Sequence, residues 1–180
     1  MLIKREESCL LVVDMQEKLI PAMSDPRRII LNCEKLMKAA QRLDVPMVVS
    51  EQYPKGIGPT IVDLRSYLPQ DGTVEKSHFP MTGSEEALRR IRASGKRQMI
   101  LSGVESHVCV MQTALSLKGM GFEPFVVADA VASRKVESEV LAFDRLRQAG
   151  IFVVNVEMVL FEWLGEAGTP EFKDLMPLIK

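Results

Sequence analysis

Short apolar runs and helical stretches take turns along this chain, and that alternation leaves few folds open. Ser8-Cys-Leu-Leu-Val-Val-Asp14 is an unbroken apolar run closed by an acid, the pattern of a strand buried on both faces. Helical spacing follows over 27–43, where Ile29, Cys33, Leu36 and Ala40 line one stripe. Pro46 to Ser50 reads as a second strand, and Thr73 to Lys76, after the Asp71-Gly72 turn, as a third. Ser84 is placed to cap a helix ending near Ala93. Gln98 to Gly103 is a fourth strand, and a nearly chargeless helix runs from Ser106 to Gly119. Phe122 to Ala128 makes strand five, Glu137 to Gln148 a helix, and Ile151 to Val154 strand six. The tail from Glu157 reads as one or two short helices broken between Gly165 and Pro170.

Right-handed βαβ units of this kind build an α/β protein, a three-layer α/β/α sandwich on a six-stranded parallel sheet. The class favours the Rossmann-like strand order 3-2-1-4-5-6, with a crevice above the carboxyl ends of strands one and four. At 180 residues, with no repeat or Gly/Ser linker, the chain is expected to form a single domain over 1–180. A net charge of -1 speaks against nucleic acid and against a polybasic membrane patch. No apolar run reaches transmembrane length, and four charges within 1–8 leave no secretory h-region. Three widely spaced cysteines point to free thiols in a reducing, cytoplasmic setting.

The loops above the strand ends decide the chemistry. The loop after strand one lacks the glycines that cradle a dinucleotide, and no phosphate-binding G-x-x-x-x-G-K-[ST] occurs. The two histidines, His78 and His107, have no zinc-type spacing with the cysteines. Cys109 stands in the first turn of the helix after strand four, where free amides and the helix dipole favour a thiolate and an oxyanion. Cys9 and Cys33 instead sit within a strand and on an apolar helical stripe, where a thiol behaves as a small hydrophobe. Asp14 ends strand one and Lys76 ends strand three, at the same edge as Cys109 under the expected order. Spacing alone leaves two readings open: a catalytic cluster, or an Asp14–Lys76 ion pair beside an incidental cysteine.

Leu-Leu-Val-Val-Asp14-Met-Gln, Glu75-Lys76-Ser and Gly103-Val-Glu-Ser-His-Val-Cys109-Val together resemble the isochorismatase-like cysteine hydrolase superfamily. Ser50-Glu-Gln-Tyr-Pro-Lys-Gly-Ile-Gly-Pro-Thr60 is similar to the branch of isochorismatase domain-containing proteins. The resemblance implies a catalytic triad of Asp14, Lys76 and Cys109. It also implies a non-proline cis peptide at Val104–Glu105, with the backbone N–H groups of Glu105 and Cys109 forming an oxyanion hole. The nicotinamidase branch holds a metal near strand two through an Asp and two His residues. Here that loop reads Glu51-Gln-Tyr-Pro, so no metal and no cofactor is expected.

These features lead to an expected cysteine hydrolase of small-molecule amide, carbamoyl or related C–N bonds, working through a thioester. Gln16, Tyr53, Phe79 and His107 flank the loops as candidate substrate-binding residues, while Glu105 is expected to contribute its backbone, with a gating role for its side chain left open. A Cys–His dyad is the competing arrangement. His107 would point away from Cys109, since residues two apart on a helix do not face each other, whereas His78 stays open. A non-catalytic scaffold is the rival from another class, and a redox thiol without a C-x-x-C partner ranks below it. The apolar clusters 158–164 and 172–179 suit core capping or a subunit interface, so a homo-oligomer is expected.

Overall fold

A computed structural model of the chain describes residues 1–179. The six strands are β1 (Ser8–Val13), β2 (Met47–Gln52), β3 (Val74–Lys76), β4 (Gln98–Val104), β5 (Glu123–Ala132) and β6 (Phe152–Val154). They form one all-parallel sheet in the order β3-β2-β1-β4-β5-β6, as the alternation predicts. The helices are α1 (Pro26–Arg42), the single-turn pieces α2 (Pro54–Ile57) and α3 (Val62–Arg65), then α4 (Glu85–Ala93) and α5 (Met111–Gly119). After them come α6 (Val136–Gln148), α7 (Val156–Leu164) and α8 (Pro170–Ile179).

The two-residue period of β1 feeds two cores. Leu10 and Val12 pack with Ile29, Leu36 and Ala40 of α1, Trp163 of α7 and Leu175 of α8. Cys9, Leu11 and Val13 pack on the other face with Ile91 of α4, Leu117 of α5 and Leu146 of α6. Every residue of β1 is buried, which is why its apolar run has no polar alternation. α1 begins where Asp25 accepts a bond from the Arg28 amide at 3.0 Å with Pro26 in the first turn, a start written in the sequence. Ser84 caps α4 through the Ala87 amide at 3.4 Å.

Two local departures shape the crevice. β5 continues to Ala132, past a register shift opposite Leu101 and Gly103 of β4. The segment expected as the start of a regular helix, Ser106–Val110, is wound as a π-helical turn before α5 begins. β4 passes β1 at Gly103, whose φ is +107° and where a Cβ would fall on the Val13 carbonyl oxygen. Only glycine fits both conditions. Val13 pairs with Ser50 on one side and Gly103 on the other, so Asp14 emerges at the reversal of winding. Among the described residues, no helix is long and apolar enough to cross a membrane.

Candidate active site

Three strand ends and one helical turn bring Asp14, Lys76 and Cys109 together. Asp14 leaves β1 in the left-handed region, with φ 51°. Its Oδ1 accepts a hydrogen bond from Ser50 Oγ of β2 at 2.7 Å. Lys76 ends β3, and its Nζ lies 2.7 Å from Asp14 Oδ2, with both side chains wholly buried. That contact is an ion pair off the line of a hydrogen bond. The lysine's three N–H bonds go to Gln52 Oε1 at 2.6 Å and to the carbonyl oxygens of His78 and Phe79 at 3.2 and 2.9 Å. Ser50 thus holds one oxygen of the Asp14 carboxylate and the Lys76 ammonium faces the other.

Cys109 fills the remaining side of this group. Burial, then the negative charge of Asp14, push its thiol up to about 12, while Lys76 pulls in the opposite direction. The lowering expected of a helix start is outweighed, because the turn is buried and faces a carboxylate. Burial likewise holds the Asp14 carboxyl above its ordinary value, against the lowering action of Lys76, Ser50 and Cys109. Each group acts on the other's titration, so the carboxyl and the thiol titrate as a coupled pair. Cys9 and Cys33 are also pushed up to about 12 by burial, but neither is acted on by such a carboxylate–lysine pair. Neither histidine is among the charges acting on Cys109.

The Val104–Glu105 peptide is cis. The Glu105 carboxylate accepts from the backbone N and Nε of Arg134, both at 3.0 Å, so it is held by a salt bridge at the start of the Cys109 turn. The neighbouring Ser133 fixes His107, with Oγ 2.8 Å from its Nδ1. Ser133 in turn donates its amide to Glu139 Oε1 at 3.0 Å, and the Glu139 carboxylate also accepts from Ser24 Oγ and Arg28 Nη2.

The four candidate pocket residues separate. Gln16 is fully buried; its Nε2 donates to the carbonyls of Gln52 and Gly58, and its Oε1 accepts from the Gln52 amide. It is a strut between loops and not a pocket wall, since its whole amide is consumed. His107 lines a cavity with Arg134, Lys135 and Ser138 and is turned to Ser133. Tyr53 and Phe79 are 60% and 56% exposed, at the ends of β2 and just beyond β3, where side chains are free to meet a ligand. Tyr53 has a φ of 36° and lays its ring on Gly56. Glu51 is buried, with Oε1 accepting from Thr60 N and Oγ1 at 2.7 Å each. Among the described residues, no group of three or more His, Cys, Asp or Glu is arranged to hold a metal ion.

Ser50, Gln52, Ser133 and Glu139 are the supports that sequence reasoning missed. Ser50 had a readable signal, because a lone hydroxyl closes an apolar run just as Asp14 does.

The family model for the isochorismatase domain matches residues 8–158. The chain is 39% identical over 172 residues to isochorismatase domain-containing protein 1 of Danio rerio, covering 93% of this chain and 59% of that protein. It thus spans well under two thirds of that relative's length. The solved structure of MAR1 ribonuclease from Caenorhabditis elegans matches with a TM-score of 0.90 at 34% identity, covering 99% of this chain and 92% of that one. The YcaC gene product of Escherichia coli, an octameric hydrolase of unknown specificity, matches with a TM-score of 0.88 at 25% identity over 98% of this chain and 95% of its own. The chain belongs to the isochorismatase family, within the isochorismatase-like hydrolase superfamily.

Proposed function

We propose that this chain, as one domain, is a cysteine-dependent hydrolase of a small-molecule amide, carbamoyl or related C–N bond. The observation that carries the reading is the wholly buried Asp14–Lys76 ion pair at 2.7 Å, with Asp14 acting on a Cys109 thiol that is pushed up to about 12. A buried carboxylate facing a thiol suits a proton-accepting role.

In the first half-reaction Asp14 takes the thiol proton while Lys76 holds the pair electrostatically. The sulfur attacks the substrate carbonyl carbon, and the backbone N–H groups of Glu105 and Cys109 receive the oxyanion, each worth about 3 kcal/mol if aligned. The C–N bond breaks as Asp14 returns its proton to the leaving nitrogen, leaving a thioester on Cys109. In the second half-reaction Asp14 takes a proton from water, the hydroxide adds to the thioester carbon, and the C–S bond breaks. The proton returns to sulfur and the acid or carbamate product departs. No cofactor takes part. Tyr53 and Phe79 are the exposed side chains offered for substrate contact. The same reading places the chain in a reducing, cytoplasmic setting, supported by three free cysteines, and in a homo-oligomer, supported by the octameric YcaC relative.

An ammonia-release screen over small amides, carbamoyl compounds and ureides, with Cys109→Ala as the blank, tests the proposal. A substrate turned over by the parent and not by the variant is the expected result. Because the C. elegans relative is described as a ribonuclease, single-stranded RNA belongs in the panel. RNA cleavage that survives Cys109→Ala, or no difference between the proteins on any compound, would overturn the thioester route.

A further inference from the structure

Cys109 and Lys76 reach each other from separate elements, so something must fix the distance between them. One buried hydroxyl links the Cys109 turn to the loop that holds Lys76. Thr113 Oγ1 donates to the Cys109 carbonyl at 2.6 Å and accepts from the Met81 amide at 2.9 Å. Met81 closes the loop 77–81, whose carbonyls at His78 and Phe79 hold Lys76 Nζ. Thr113 is fully buried, so neither bond competes with solvent. A turn further along the same helix, Thr82 Oγ1 donates to Ser116 Oγ at 2.7 Å, a second fastening of that loop. Cys109, Thr113 and Ser116 recur at i, i+4 and i+7, the spacing that puts side chains on one helical face.

We infer that Thr113 is a positioning residue, its hydroxyl setting the lysine loop against the nucleophile turn so that Lys76, Asp14 and Cys109 keep one geometry. The inference rests on the proposed nucleophile, and it concerns the hydroxyl and not the methyl. An ordinary threonine that bonds back to the carbonyl four residues earlier serves only its own helix. Here the same oxygen also receives an amide from the loop that holds the catalytic lysine. Loss of that oxygen would free the Met81 amide and let the loop shift relative to sulfur, without removing any reacting group.

The test compares the parent with Thr113→Val, which keeps the shape and loses the oxygen, and Thr113→Ser, which keeps the oxygen and loses the methyl. The rate of Cys109 alkylation by iodoacetamide is followed by peptide mass between pH 5 and pH 9, well below each protein's melting temperature. Thr113→Val is expected to slow Cys109 by about a hundredfold, the scale of an ångström-sized misplacement, and to move the acid limb of its profile. Thr113→Ser is expected to restore the parent profile within about threefold. If the valine chain does not fold, Thr113→Ala carries the same comparison. A folded Thr113→Val with the parent profile, or a serine variant as slow as the valine, overturns the inference while leaving the nucleophile reading intact. A parent in which Cys109 is no faster than Cys9 and Cys33 ends both.

Discussion

At the scale of residues, the cost of the site lies in two charges kept from water. Asp14 and Lys76 are wholly buried, and removing one partner leaves the other charge uncompensated. Lys76→Met is therefore expected to destabilise the chain by about 3–5 kcal/mol, and the double variant Asp14→Asn/Lys76→Met by clearly less than the sum. Denaturant unfolding followed through Trp163 measures this, since its buried indole donates to Ser8 Oγ at 3.0 Å and reports on the sheet. Additivity of the two losses would mean that the pair is not coupled. Asp14 also predicts a pH dependence. Its folded pKa is raised, so the native state holds the proton more tightly than the unfolded one, and its contribution to stability falls as pH rises through that window. The stability of the parent relative to Asp14→Asn should decline as pH climbs from the ordinary carboxylate value upward. An increase over that range would contradict the burial argument.

At the scale of elements, the crevice depends on how closely β1 and β4 meet. Gly103→Ala is expected to abolish folding or to lose more than about 4 kcal/mol, because it combines a positive φ with a Cβ on the Val13 carbonyl. Thermal melting of the purified variant checks this, and a melting curve like the parent's would show that the strands can separate there without penalty. β1 was legible because a buried parallel strand is a continuous apolar run, here closed by Asp14, and β3, the short Val74-Glu75-Lys76, from the Asp71-Gly72 turn before it. Other features left no such trace. The π-helical turn over Ser106–Val110 spans five residues, too few to separate its period from that of an α-helix. β5 outran its apolar run because pairing with β4 continues past Asp129, a tertiary effect that composition does not carry. Gln16 and His107 stood at the right loops, but whether a polar side chain faces a ligand or braces a neighbour depends on partners 26 to 42 residues away.

At the scale of the whole molecule, the apolar surface is distributed unevenly. Val136, Val140 and Leu141 leave an exposed apolar strip on α6, and Tyr53 and Phe79 are exposed beside the rim of the crevice. Native mass spectrometry is expected to find a multiple of the single chain, and Leu141→Glu to lower that multiple; a monomer at micromolar concentration would contradict the oligomer. The central claim, that a buried carboxylate makes Cys109 a nucleophile, is tested most directly by thiol-specific alkylation of the parent and Asp14→Asn across pH. The account predicts labelling at Cys109 alone, a rate that falls on the acid side as Asp14 takes its proton and stays level through pH 8.5, and a loss of about 10²- to 10⁴-fold in the variant. Equal labelling of Cys9, Cys33 and Cys109, or a Cys109 rate that climbs steadily with pH and ignores the Asp14 substitution, would contradict it.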